Sequence, residues 1–277
     1  MHDLAYLLSF DFVRLALVAG LLASLLCGIV GTFVVVKRLV FISGGISHAA
    51  FGGLGLCYFL GVDYRWGAGA VAVGSALALA GSGRTRGRSH DAVIGILWAV
   101  GMAVGIVFLH LTPGYAPNLQ TYLFGNILTV TVQDVRLTAG LVLVLVVLVA
   151  LFWKELVAVA FDEGFAAVQG VPVRLVLTAL MVAIALAVVV LIQLVGILLV
   201  IALLTIPPAL ALRLVDGFFG VMVTATFAGA AMTLGGLALS YRFDLPSGPA
   251  IVLLGATLLL LADLWRRAAP RRERRLQ

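Results

Sequence analysis

The amino-acid sequence predicts an all-α protein, a polytopic bundle of transmembrane helices, and its composition carries the prediction. Of the 277 residues, 63% are hydrophobic and only 11% are charged, and the mean hydropathy is +1.21. A soluble domain has roughly 25% charged residues, because its surface faces water. The charged side chains of this chain are too few to cover such a surface, so much of it must face lipid. We expect residues 1–277 to form a single transmembrane domain.

Nine apolar segments have the length that a membrane-spanning helix requires, with eight spans as the alternative count. They cover residues 12–36, 39–60, 66–82, 91–111, 135–153, 174–193, 194–213, 217–240 and 248–265. The connection at 112–134 lies outside in the orientation derived below, and its semi-apolar sequence predicts a short helix at the membrane surface.

The stretch 174–213 decides between nine spans and eight, because no charged residue lies between its two terminal arginines. As one helix it would be about 60 Å long, about twice the thickness of the hydrocarbon layer. We therefore expect a break between Gln193 and Gly196. Pro207 and Pro208 predict a further break or kink, because proline removes a helical hydrogen bond.

The positions of lysine and arginine predict the orientation of the bundle, because both residues are enriched in cytoplasmic loops. With nine spans and an outer N-terminus, 14 of them lie inside and 4 outside. The inner set is Lys37, Arg38, Arg84, Arg86, Arg88, Lys154, Arg174, Arg213 and six arginines in the tail 266–277; the outer set is Arg14, Arg65, Arg136 and Arg242. We therefore expect an outer N-terminus and a basic cytoplasmic tail. The short clusters argue against nucleic-acid binding, which the net charge of +6 would otherwise suggest.

The sequence shows no energy source for transport. Neither of its two lysines, Lys37 and Lys154, follows glycine as the phosphate-binding loop of ATPases requires. No carboxylate lies at the middle of a predicted span, where proton- or sodium-coupled carriers usually place one. We therefore expect a non-enzymatic transport subunit whose energy comes from a partner.

His48 is the candidate functional residue, because it lies about ten residues into the span 39–60 and hence near the bilayer midplane. An ionisable side chain at that depth is costly and marks functional sites. Neutral imidazole is also a common ligand for transition metals. The alternative is a structural histidine that hydrogen-bonds a carbonyl and ties two helices together. The small residues around it (SGGISHAAFGGLG) allow close helix packing or leave room for a passage.

The inner segment at about 154–173 contains a possible short helix. Asp162 and Glu163 suit its first turn, because a helix N-terminus favours negative charge. Gly170 with Pro172 suits its end. A short, partly apolar helix projecting from the membrane would dock a soluble subunit, whereas a simple interfacial loop explains the residues equally well.

Six stretches, in their order and spacing, resemble the permease subunits of bacterial and archaeal zinc/manganese ABC importers, and they cover nearly the whole chain. They are GTFVVVKRLVFISGGISHAAFGG, DAVIGILWAVGMAVGI, NLQTYLFGNIL, FDEGFAAVQGVPV, QLVGILLVIALLTIPPALA and DLPSGPAIVLL.

The resemblance implies a homodimer of permeases in the cytoplasmic membrane of a prokaryote, two cytoplasmic ATPase subunits and an extracytoplasmic metal-binding protein that delivers the ion. The transported substrate would be Zn²⁺, Mn²⁺ or Fe²⁺, with no permanently bound cofactor. The resemblance also places a coupling helix, which sits in a groove of the ATPase, within FDEGFAAVQG. The coupling residues implied are Asp162, Glu163, Gly164, Ala166 and Gly170.

The resemblance further implies that His48 contacts the metal, but one neighbouring position departs from the family pattern. Family members commonly carry aspartate four residues earlier, on the same helix face, where this chain has Gly44. Three arrangements stay open: His48 acts with its dimer mate, with Ser43 or Ser47, or as a selectivity element. The metal also stays open, since histidine suits zinc and oxygen ligands suit manganese.

Two other functions are alternatives. Permeases of siderophore or cobalamin importers share the general architecture, but their substrates need a wide path and would give a midplane histidine no evident task. A secondary carrier, or a structural subunit of a membrane complex, would work without any ATPase.

Overall fold

The computed structural model describes residues 10–81, 90–113, 125 and 127–268, which fold into eleven α-helices and one 3₁₀ turn, without a strand. The helices are α1 (Asp11–Val36), α2 (Val40–Phe59), α3 (Tyr64–Gly81), α4 (His90–Leu111), α5 (Val132–Leu151), α6 (Trp153–Phe161), α7 (Glu163–Val168), α8 (Val173–Val195), α9 (Ile197–Leu214), α10 (Phe218–Phe243) and α11 (Ser247–Ala268). The predicted all-helical bundle is confirmed.

Each of the nine predicted spans corresponds to one long helix within the described ranges, and eight of these helices are long and apolar enough to cross a membrane. The other long helix is α3, which has 18 residues and is rich in alanine and glycine. Four of its five buried residues, Ala68, Ala72, Ser75 and Ala76, are small, and the helix packs against α2 and α8. The polar and aromatic start of α3, with its glycines and serine, lowers its hydropathy, and its small side chains allow close packing between helices.

Helices α1 and α2 form the centre of the bundle, since 72% and 78% of their most apolar segments are buried. Close backbone approaches hold α1 against α10 and α9. A Cβ added at Gly28 would lie 2.0 Å from Thr226 Oγ1, and one at Gly31 would lie 2.6 Å from the Leu204 carbonyl oxygen. In α4 and α5 the buried share is 17%, so most of their apolar surface faces outward.

The structure places the break in the stretch 174–213 at Gly196, between α8 and α9. Gly196 has φ 78° and ψ 163°, a combination that is essentially restricted to glycine. The outer connection packs directly on this break, because a Cβ at Gly125 would lie 2.2 Å from the carbonyl carbon of Val195.

Pro207 and Pro208 were predicted to break or kink the chain; they do not break α9, so the break is wrong, and the kink stays a prediction. Both prolines are buried within the continuous helix Ile197–Leu214. Pro208 has no N–H to donate to the Leu204 carbonyl four residues earlier. That carbonyl oxygen lies instead against the backbone of Gly31 in α1. Packing against neighbouring helices therefore keeps α9 helical where local sequence favours an interruption.

The outer connection at 112–134 was predicted to contain a surface helix, and residues 114–124 and 126 lie outside the described part of the chain. Its described portion forms the 3₁₀ turn Ile127–Thr129. Thr131 and Asp134 then form a capping box that begins α5. Arg65 Nη2 donates to Asp134 Oδ1 at 3.0 Å, which ties the start of α3 to the start of α5. The loop with Arg84, Arg86 and Arg88 and the tail beyond residue 268 also lie outside the described residues.

The orientation stays a prediction, and two exposed connections test it. Val62 lies between α2 and α3 and Asp216 between α9 and α10. In a background lacking Cys27 and Cys57, we expect Val62→Cys to react with a membrane-impermeant thiol reagent on intact cells. Asp216→Cys should react only after permeabilisation, because the charge distribution places it inside. The reverse labelling pattern would invert the topology.

Candidate functional site

Helices α2 and α4 pack backbone to backbone along small residues, here called the α2–α4 seam. A Cβ added at Gly52 would lie 2.9 Å from the Gly101 carbonyl oxygen, and one at Gly55 would lie 2.5 Å from the Gly105 carbonyl oxygen. A Cβ at Gly101 would lie 2.5 Å from the Cα of Ala49. In this structure the small-residue stretches therefore serve close packing, and the seam fixes the register of α4 on α2.

His48 lies near the middle of α2 and is 5% exposed. Its imidazole stacks on the indole of Trp98 from α4, with 4.1 Å between the ring centroids and 15° between the planes. Neither Nδ1 nor Nε2 has a hydrogen-bond partner among the described residues. The structural alternative, a hydrogen bond from His48 to a carbonyl, is thus not seen in them. An unpaired buried polar group is costly, and a group that binds these nitrogens would offset that cost.

Gly44 and Ser47, the neighbours of His48 on α2, contact Trp98 and the Ser43 carbonyl respectively. The Ser47 hydroxyl is fully buried and donates to the Ser43 carbonyl at 2.8 Å, a bond common for serine inside helices. A Cβ at Gly44 would lie 3.3 Å from Trp98 Cζ3. The side chain of Trp98 therefore occupies the space into which a larger residue 44 would extend.

No group of three or more His, Cys, Asp or Glu side chains that could hold a metal ion occurs in the part of the chain that the structure describes. His48 is thus a single imidazole. Gln193, near the end of α8, lines a small cavity whose α2 side is formed by Ala50, Phe51 and Leu54. These residues follow His48 within two helical turns, so a polar amide lies beyond the histidine toward the C-terminal end of α2.

The inner segment forms α6 and α7, joined at Asp162. Asp162 Oδ1 accepts a hydrogen bond from the Phe165 backbone N–H at 3.0 Å and caps α7. A Cβ at Gly164 would lie 3.3 Å from that oxygen. Ala166 is fully buried under the segment. Gly170 has φ +83°, a conformation that glycine adopts without strain, and the chain turns there before α8.

Lys37 ties this segment to the connection between α1 and α2. Its ammonium donates to Glu163 Oε1 at 2.5 Å and to the Val159 carbonyl oxygen at 3.0 Å. The side chains of Lys37 and Glu163 are 12% and 29% exposed, so the pair is partly shielded from water. Lys37 is the C-cap residue of α1 and precedes the first residue of α2, Val40, by three positions, so the pair joins the inner segment to the connection between these two helices.

Sequence reasoning missed both Trp98 and Lys37 as contact residues. Trp98 lies three residues before Gly101, and positions three apart share a helix face. That spacing could have placed the indole beside the histidine once the α2–α4 seam was assumed. Lys37 offered no comparable signal, because its partner Glu163 is 126 positions away.

Comparisons with known proteins agree with the sequence resemblance. The sequence profile described as the ABC 3 transport family matches residues 9–266. The chain is 43% identical over 260 residues to an uncharacterised membrane protein of Synechocystis, covering 94% of this chain and 92% of that one. It is 33% identical over 256 residues to the manganese transport system membrane protein MntC of Halalkalibacterium halodurans, covering 92% and 88%.

Among solved structures, the chain is similar to PsaBC from Streptococcus pneumoniae in complex with Fab. The TM-score is 0.84 at 29% identity, with 94% of this chain and 93% of that chain covered. Together with the apolar helices, these matches confirm a multi-pass membrane permease and the predicted resemblance. This chain therefore belongs to the ABC 3 transport family.

Proposed function

We propose that this chain is the membrane-spanning permease of an ATP-driven importer for a divalent transition-metal ion, manganese(II) or zinc(II), with iron(II) as a third candidate. One observation carries the proposal: His48 is a buried imidazole near the middle of a span, and both of its nitrogens are unpaired among the described residues. Neutral imidazole binds such ions. A conducting site must also bind weakly enough to release its ion, and a single imidazole meets that requirement.

Manganese and zinc are supported by different observations. A relative that matches most of the chain is named for manganese transport, whereas an imidazole without a carboxylate beside it suits zinc better. Our proposal includes a homodimer, in which a second copy would supply a second imidazole. The outward apolar faces of α4 and α5 leave surface for that copy as well as for lipid.

The ATPase subunit is proposed to dock on α7. Phe165 and Val168 are 58% and 89% exposed, so α7 presents an apolar surface outside the spans, as a docking helix requires. The Lys37–Glu163 pair links α7 to the connection between α1 and α2. An extracytoplasmic metal-binding protein would deliver the ion on the opposite side.

Cell metal content tests the proposal most directly. In a strain that lacks the gene for this permease and the gene for its partner ATPase, we expect the cellular content of manganese, zinc or iron to fall. The content should recover only when both genes are restored. Recovery by the permease gene alone would identify an ATPase-independent carrier. An unchanged content of all three metals would refute metal import, and uptake of labelled siderophore or cobalamin would then test the wide-path alternative.

A further inference from the structure

The side chain that orients His48 is an aromatic ring instead of a hydrogen-bonding group. Metal-binding histidines usually donate their second ring nitrogen to a carboxylate or carbonyl, which fixes the orientation of the imidazole. His48 has no such partner in the described residues, and its closest ring contact is the nearly parallel indole of Trp98. A stacked ring contacts the face of the imidazole and restrains its plane without forming a hydrogen bond to either nitrogen.

We propose that Trp98 is a positioning residue for the transported metal ion: its indole holds the His48 imidazole in the orientation in which a ring nitrogen contacts the ion during the transport cycle. This inference rests on the proposed function, in which His48 contacts the metal. Trp98 covers one face of the histidine and is itself 37% exposed. His48 is 5% exposed, and the Trp98 indole covers the face of its imidazole that is turned toward α4.

The α2–α4 seam sets the position of the indole. One helical turn from Trp98, the Cα of Gly101 approaches the backbone of His48 and Ala49 so closely that a Cβ would lie 2.7 Å from the His48 carbonyl oxygen. A longer residue at the seam would push α4 and its indole away from the histidine. The small seam residues therefore act on the site through Trp98.

Gly44 completes the arrangement. Its missing Cβ would lie 3.3 Å from Trp98 Cζ3, closer than ordinary van der Waals contact. An alanine at position 44 would require the six-membered ring of the indole to shift by a few tenths of an ångström, which would change its stacking on the imidazole. Glycine at position 44 therefore leaves the space that the tryptophan at position 98 occupies.

The test uses the complete importer, with its ATPase and binding protein, in membrane vesicles supplied with radioactive manganese(II) or zinc(II). Uptake and ATP hydrolysis are measured together and normalised to the inserted permease. We expect Trp98→Leu, which fills space but lacks a flat ring, to lower the metal transported per ATP by about tenfold, the lower limit for loss of an orienting group at a metal site. ATP hydrolysis should continue, because cycles run without a held ion. Trp98→Phe should retain most of the coupling.

The matched control is Trp66→Ala, which removes a tryptophan that is 76% exposed on α3 and should change neither quantity. Gly44→Ala should lower the metal transported per ATP, and Trp98→Phe in the same chain should restore it, because phenylalanine lacks the second ring.

Unchanged coupling in Trp98→Leu, or equal losses of transport and ATP hydrolysis in that variant, would overturn the positioning role. His48→Ala is measured in parallel. Full uptake in His48→Ala refutes the proposed function itself, whereas a loss in His48→Ala with normal Trp98→Leu refutes only the role of Trp98.

Discussion

His48→Ala is expected to abolish uptake of the transported metal, or to reduce it strongly, while the permease still inserts and assembles. The physical reason is that the alanine side chain has no lone pair to replace a water of the ion's hydration shell near the midplane. Because the His48 imidazole makes no hydrogen bond within the described residues, its removal breaks no side-chain hydrogen bond among them. Uptake of radioactive manganese(II) and zinc(II) by cells checks the result, with the amount of inserted permease measured by immunoblot.

His48→Gln separates a metal-binding role from a structural one. Glutamine keeps a polar, hydrogen-bonding side chain of similar length but offers no imidazole nitrogen. We expect its uptake to be as low as that of His48→Ala and its melting temperature to be close to that of the unaltered protein. Full uptake of zinc(II) in His48→Gln would remove the histidine from metal binding and return it to a structural role, since zinc is the ion that prefers the imidazole nitrogen.

Ala166→Pro is expected to stop transport by detaching the inner segment from the ATPase, without affecting the membrane bundle. The Ala166 backbone N–H donates to the Asp162 carbonyl at 3.1 Å, and its side chain is fully buried. Proline removes that bond and adds a ring where no space exists, at a local cost of about 3 kcal/mol. Co-purification of the ATPase with the permease and metal uptake in cells are the measurements.

Ala166→Ser is the matched control, because it keeps the backbone hydrogen bond and adds a single atom. Val168→Glu complements it by placing a charge on the exposed apolar surface of α7 without disturbing the helix. We expect Ala166→Ser to bind the ATPase, and Val168→Glu to lose it. Normal ATPase binding and transport in Ala166→Pro would exclude this segment from coupling.

Locally encoded features were predictable from the sequence. Asp162 and Gly170 are the cap and the end of a short helix, and both signals depend on residues within a few positions. Gly196 was inside the predicted break, because no membrane span accommodates a stretch of that length as one helix. Pro207 and Pro208 show where local rules fail, because contacts with other helices keep α9 continuous.

The sequence by itself determined that this chain is a helical membrane permease with an imidazole near the middle of one span, because charge content, segment length and motif order are properties of the linear chain. Only the tertiary structure decided what surrounds that imidazole. Trp98 stacks on His48, and Lys37 pairs with Glu163, although each contact joins residues distant in the chain. The reason is physical: such contacts depend on the register with which glycine-lined helices approach one another, and no periodicity or local motif encodes that register.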